Sequence, residues 1–197
     1  MPRAETLRQT ITGGTVGIFG PAGSVTPSEL MKMTVLARDF SGCSVLIRTQ
    51  DQLNAALALI ELDGVARRMV IWPPDLDEAH LPAIMARAEI DAVVSDMPGE
   101  NEILGPPRPR ADTQSPVCKT EWVMFTSGTT GVPKMVAHSL AALTGAIKPC
   151  ATPDVVWGTF YDIRRYGGLQ ILLRALLGQA PLVLSDCHEA VGDFLGR

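Results

Sequence analysis

Between residues 45 and 95 the apolar positions fall into short runs separated by longer stretches in which they recur every three or four residues. Val45-Leu46-Ile47-Arg48, Met69-Val70-Ile71-Trp72 and Ala92-Val93-Val94-Ser95 are runs of bulky residues bounded by turn formers, the pattern of buried strands. The stretches 51–62 and 76–88 between them have helical spacing. Gly64 stops the first of these, and Pro73-Pro74 stops the strand before the second. Strands and helices alternating at these lengths predict a parallel sheet with crossover helices, an α/β fold. No GxGxxG joins a strand to its helix, so NAD or FAD is not expected.

The flanking segments extend the pattern. Residues 14–19 predict a strand, 20–24 a turn, and Thr26-Pro27-Ser28-Glu29 opens a helix running to about residue 40. Five prolines (98, 106, 107, 109 and 116) give residues 97–116 the composition of a loop or linker, and its Arg108 and Arg110 read as solvated side chains. Residues 121–125 and 135–138 predict strands, and Ser139 caps a helix over 140–148. A strand over 155–160, a helix over 168–177 ended by Gly178, and a strand over 181–184 complete the chain. The expected organisation is an α/β unit over 1–97, a Pro-rich linker over 98–118 and a second α/β unit over 119–197.

Composition narrows the function classes. At 197 residues, 46% hydrophobic and 19% charged, the chain can bury one substantial core or two small ones. A net charge of -4 without any basic block argues against nucleic acid as a partner. The four cysteines (43, 118, 150 and 187) have neither CxxC nor zinc spacing, which predicts reduced thiols in a cytoplasmic protein. Cys187-His188-Glu189 are adjacent and so point in different directions, and no second cluster completes them; no metal site is expected. The N-terminus has no apolar core behind Arg3 and Arg8, and the longest apolar stretch, 169–184, is broken by Arg174 and Gln179, so neither a signal peptide nor a membrane span is expected.

Chemistry is concentrated in Thr126-Ser127-Gly128-Thr129-Thr130-Gly131-Val132-Pro133-Lys134, between the strands at 121–125 and 135–138. Two glycines let successive N–H groups point into one concavity, where they bind an anion. Four hydroxyls add donors, Pro133 fixes the backbone, and Lys134 supplies a compact positive charge. These are the parts of a polyphosphate cradle. The Walker pattern does not fit, because Val-Pro-Lys follows Gly131 where that pattern has Gly-Lys-Ser/Thr opening a helix.

This run resembles the phosphate-binding signature of the adenylate-forming superfamily, which comprises acyl-CoA synthetases, aryl-CoA ligases, firefly luciferase and the adenylation domains of nonribosomal peptide synthetases. Met135 stands where most members carry glycine. The succession of elements over 14–96 is also similar to the family's N-terminal domain. Tyr166-Gly167 matches a Tyr-Gly at a helix head that lines the family's acyl pocket, and ordinary packing would explain it equally. The histidine often found just before that pair has no counterpart among Asp162, Ile163, Arg164 and Arg165.

The resemblance implies a partial N-terminal domain of that fold, without the C-terminal lid. It also implies a reaction in which a carboxylic acid substrate attacks MgATP to give acyl-AMP and pyrophosphate, after which coenzyme A or a carrier phosphopantetheine takes the acyl group. Thr126, Ser127, Gly128, Thr129, Thr130 and Gly131 would then hold the ATP phosphates and Lys134 would stabilise their charge. The family's adenine-contacting segment, ribose aspartate and catalytic lysine are not found before Arg197. The chain therefore reads as the N-terminal part of such an enzyme, as a fragment, a truncated gene product or one half of a split enzyme with a complementary C-terminal half as partner, and alone it is expected to be inactive. The alternatives are a non-catalytic nucleotide-binding module and an interaction module that pairs with another chain or with itself.

Overall fold

The computed structural model describes residues 6–11, 17–99, 102–110, 118–126, 133–148, 155–186 and 189–196. In chain order its first half contains α1 (Leu7–Thr10), β1 (Ile18–Gly20), β2 (Gly23–Val25), α2 (Pro27–Lys32), β3 (Met33–Thr34), β4 (Ser44–Arg48), α3 (Gln52–Leu62) and β5 (Arg68–Ile71). A 3-10 turn (Glu78–His80) leads into α4 (Leu81–Arg87), followed by β6 (Ala92–Ser95), β7 (Glu102–Ile103) and β8 (Arg108–Pro109). Then come β9 (Glu121–Thr126), β10 (Lys134–Ser139), α5 (Leu140–Thr144), β11 (Trp157–Thr159), α6 (Tyr166–Leu177), β12 (Leu182–Leu184) and α7 (Val191–Leu195).

The larger sheet has the order β10-β9-β5-β4-β6-β7, and β9, β5, β4, β6 and β7 run parallel. Its central strands are buried on both faces, as crossover helices require. Val45, Ile47, Met69, Ile71, Val94, Trp122 and Met124 enter one core, while Leu46, Val70, Val93, Val123 and Phe125 enter a second. α4 covers the second core with Ile84. A smaller sheet, β11-β12-β1-β2, joins the chain's last strands to its first, with β11, β12 and β1 mutually parallel.

α3 contacts strands of both sheets, β1 and β4, which is why ten of its residues are buried and its polar positions are few. Asp51 caps its start by accepting from the Asn54 N–H at 3.0 Å, and Gly64 turns the chain after its end with φ +83°.

Several local expectations are corrected. The helix from Thr26 ends at Lys32, not near residue 40. The buried Glu61 carboxylate on α3 accepts the Thr34 hydroxyl and, at 2.9 Å, the Val35 N–H, and Met33–Thr34 pair with Arg108–Pro109. Backbone groups engaged sideways cannot continue a helix. Within the predicted turn at 20–24 begins β2, the return strand of a hairpin with β1. The helix after Ser139 stops at Thr144 beside Gly145, short of residue 148. Residues 76–88 divide into the 3-10 turn and α4, and β11 is limited to Trp157–Thr159. Among the described residues, no helix is long and apolar enough to cross a membrane.

Candidate functional site

β9 and β10 form an antiparallel hairpin whose closing pair is Thr126 and Lys134, and both residues are exposed. Alternation along β9 sends Trp122 and Met124 into one core and Val123 and Phe125 into the other, so the strand is clamped on both faces up to Phe125. Trp72 meets Phe125 edge to face, with ring centroids 6.2 Å apart, just below the point where the chain leaves the sheet. Met135 packs against the second core, so the side chain at the position departing from glycine has an apolar seat.

Because β9 runs parallel to β5, β4 and β6, Thr126 leaves the sheet at the same edge as Trp72, Thr49 and Asp96. Ligands of open α/β sheets bind outside this carboxyl edge. Of the predicted cradle, the structure places Thr126 and Lys134 here. Ser127, Gly128, Thr129, Thr130 and Gly131 lie outside the described residues, as do Cys150, Cys187 and His188. Cys43 and Cys118 are free thiols.

The β11–α6 segment is fastened to the same edge by a buried cation. Arg164, with 4% of its side chain exposed, donates to the Thr49 carbonyl and, at 3.1 Å, to the Gln50 carbonyl at the end of β4. It also grips Asp162 with two donors, Nε to Oδ1 at 2.8 Å and Nη2 to Oδ2 at 2.5 Å. Gln52 adds a second tie, accepting the Ile163 N–H at 2.8 Å and donating to the Ser185 carbonyl at 2.6 Å. Arg165 bonds Asp75 beyond β5, and that hydrogen bond is the main reason the Asp75 carboxyl lies below the usual carboxylate range.

These ties set the head of α6. Tyr166 is its first residue, 55% exposed, with its ring 6.0 Å from that of His138 on β10. The next residue, Gly167, has open space where a side chain would stand. Tyr166 and Gly167 are thus at a helix head beside the hairpin, accessible from solvent. Sequence reasoning missed the Arg164 clamp and Gln52. An arginine and an aspartate two residues apart signal little until the carbonyls of β4 are placed beside them. Among the described residues there is no group of three or more His, Cys, Asp or Glu able to hold a metal ion.

No protein-family model matches the sequence, and no curated protein matches it. Solved structures do match. The Klebsiella oxytoca NpsA N-terminal subdomain in complex with 3-hydroxybenzoyl-AMSN superposes with a TM-score of 0.69 at 15% identity, over 97% of this chain and 54% of that one. The o-succinylbenzoate CoA synthetase MenE from Bacillus subtilis, bound to its acyl-adenylate intermediate OSB-AMP, gives 0.71 at 17% identity, over 96% of this chain and 57% of that one. VinN in complex with L-aspartate gives 0.65 at 15% identity, over 91% and 57%. The chain spans a little over half the length of these three structures. At these identities the likeness is one of fold, and the fold is that of the N-terminal part of adenylate-forming enzymes.

Proposed function

We propose that this chain supplies the triphosphate-gripping half of an adenylate-forming ligase, one that activates a carboxylic acid as acyl-AMP and passes the acyl group to a thiol. The observation that carries this is the exposed Thr126–Lys134 pair closing a hairpin at the carboxyl edge of the parallel sheet. It sits on a fold shared with an enzyme captured with its acyl-adenylate.

In this account a carboxylate oxygen forms a bond to the α-phosphorus of ATP while the bond from that phosphorus to the bridging oxygen breaks, and pyrophosphate leaves. The residues from Thr126 to Gly131 hold the β- and γ-phosphates through N–H and hydroxyl groups, and the Lys134 ammonium offsets their charge. Such a displacement asks the protein chiefly for positioning and charge stabilisation. Magnesium would be carried by the phosphates of the nucleotide. Tyr166 and Gly167 line the approach to the acid, and coenzyme A or a carrier phosphopantetheine accepts the acyl group. The remaining contacts come from a complementary C-terminal half, and the protein works in the cytoplasm.

The test is pyrophosphate release from MgATP with a panel of carboxylic acids. The isolated chain is expected to show no useful turnover, and robust turnover would overturn its assignment as half a site.

A further inference from the structure

Two neighbouring arginines precede α6, and their surroundings differ. Arg164 is buried and held by the Thr49 and Gln50 carbonyls and by Asp162. Arg165 has 35% of its side chain exposed, and its hydrogen-bonded partner Asp75 has 68%. Ion pairs this open to water add little stability, because solvation competes with the contact and two side chains must be ordered to make it. At the N-cap of α6 only the Arg165 backbone is used: its carbonyl accepts the Leu169 N–H at 2.9 Å, and its side chain makes no capping bond. The guanidinium can therefore change partners without loosening the helix.

This arm lies beside the exit of β9. In the larger sheet β9 stands between β5 and β10. Arg165 reaches Asp75, in the turn just past β5 that the Leu76 N–H closes on the Pro73 carbonyl at 3.2 Å. Tyr166, the next residue, sets its ring 6.0 Å from that of His138 on β10. Consecutive residues at the head of α6 thus reach the two strands that flank β9. α6 packs into the main core through Leu169 and Leu172, whereas Leu76, next to Asp75, packs against the second core. The Arg165–Asp75 contact therefore crosses the carboxyl edge from one face of the sheet to the other. Val70 pairs with Val123, and the same register carried onward brings Pro73 level with Thr126. Asp75 follows just beyond that level, where Thr126 leaves the sheet.

We infer that Arg165 is a second cation for the nucleotide phosphates, exchanging the Asp75 carboxylate for phosphate oxygens when the ligand binds. The inference rests on the assignment of Thr126 and Lys134 to the triphosphate and adds a residue to that site. Lys134 supplies one compact charge, which offsets only part of the charge of a polyphosphate tail. A guanidinium fork meets two phosphate oxygens at once, and such charge-assisted bonds are stronger than neutral ones. Asp75 and the ligand compete for one guanidinium, so Asp75 tunes the affinity.

Calorimetric titration of the 197-residue chain with pyrophosphate, a ligand that offers only phosphate oxygens, tests this. Arg165→Ala should weaken binding about fivefold or more, and Arg165→Lys less, with melting temperatures close to that of the unaltered chain. Asp75→Asn should tighten binding by about two- to fivefold, the scale of an exposed ion pair. That gain should vanish in the double variant Arg165→Ala/Asp75→Asn, because the coupling between two residues disappears once either is removed. Should a variant fail to fold, titration of Asp75 by NMR in the unaltered chain decides. Its carboxyl, held below the usual carboxylate range chiefly by the Arg165 hydrogen bond, should move towards that range at saturating pyrophosphate. Affinity indifferent to Arg165→Ala, a gain from Asp75→Asn that survives without Arg165, or an Asp75 titration unmoved by the ligand would overturn the inference. In those cases a loss of binding in Lys134→Ala would leave the proposed function standing without this arm, whereas no saturable binding at all would defeat both.

Discussion

The Trp122 indole N–H donates to the Asp63 carboxylate at 2.9 Å, deep in the main core, where Trp122 has no exposed surface. The other Asp63 oxygen accepts the Leu7 N–H at 2.8 Å. One carboxylate at the end of α3 thus ties α1 to β9, the strand that delivers the candidate phosphate loop. Asp63→Ala leaves two buried donors unpaired, at about 1–3 kcal/mol each. Chemical denaturation should show a loss of that order, and Asp63→Asn, which keeps a carbonyl acceptor, a smaller one.

The same residue gives stability a pH dependence. Burial is the largest influence on the Asp63 carboxyl and raises its pKa, with the Leu7 and Trp122 donors opposing in part. The native state therefore keeps this proton to higher pH than the unfolded chain does. Its contribution is complete below the ordinary carboxylate range and is lost as pH rises through the native value. Asp75, lowered mainly by its Arg165 hydrogen bond, acts in the opposite sense: its contribution is present above the ordinary range and is lost as pH falls through the native value. Stability measured against pH in Asp63→Asn should lack the decline on the rising side and retain the loss in acid.

Removing the Arg164 guanidinium should release the β11–α6 segment from the larger sheet. Arg164→Ala uncovers the Thr49 and Gln50 carbonyls and leaves Asp162 without its partner. Breaking one partner of a buried ion pair costs about 3–5 kcal/mol. A thermal melt should fall accordingly. Arg164→Lys should recover only part, because an ammonium cannot reproduce the two-point grip on Asp162.

Two adjacent glycines should respond oppositely to alanine. A Cβ on Gly168 would stand 2.2 Å from the Asp162 carbonyl oxygen, a backbone atom, so Gly168→Ala must displace the head of α6 and should be clearly destabilising. A Cβ on Gly167 would meet nothing within 4 Å. Gly167→Ala should be neutral or stabilising by up to about 1 kcal/mol from helix propensity. Melting temperatures of the pair distinguish the two sites.

Five strands of the larger sheet were legible because each is short, bulky and bounded by punctuation: Asp51 caps α3, Gly64 turns the chain and Pro73-Pro74 close β5, whereas the two-residue β7 lies in the stretch that reads as a Pro-rich linker. Local pattern carried less where a distant group decides the outcome. Nothing near Met33 signals that Glu61 will take the Val35 N–H and end α2 there. The pairing of β1 with β12 joins residues 164 positions apart at Ile18 and Leu182, a separation that periodicity does not encode. At the site, the Thr126–Lys134 hairpin could be read from flanking strands, whereas the Arg164 clamp depends on carbonyls more than a hundred residues away.

The central claim is that Lys134 and the loop it closes hold the tail of a nucleoside triphosphate. Calorimetric titration of the 197-residue chain with pyrophosphate and with MgATP tests it most directly. Saturable binding that weakens at least tenfold in Lys134→Ala and with added salt, at unchanged melting temperature, is the predicted result. Binding that is absent, or unaltered by Lys134→Ala, would contradict it.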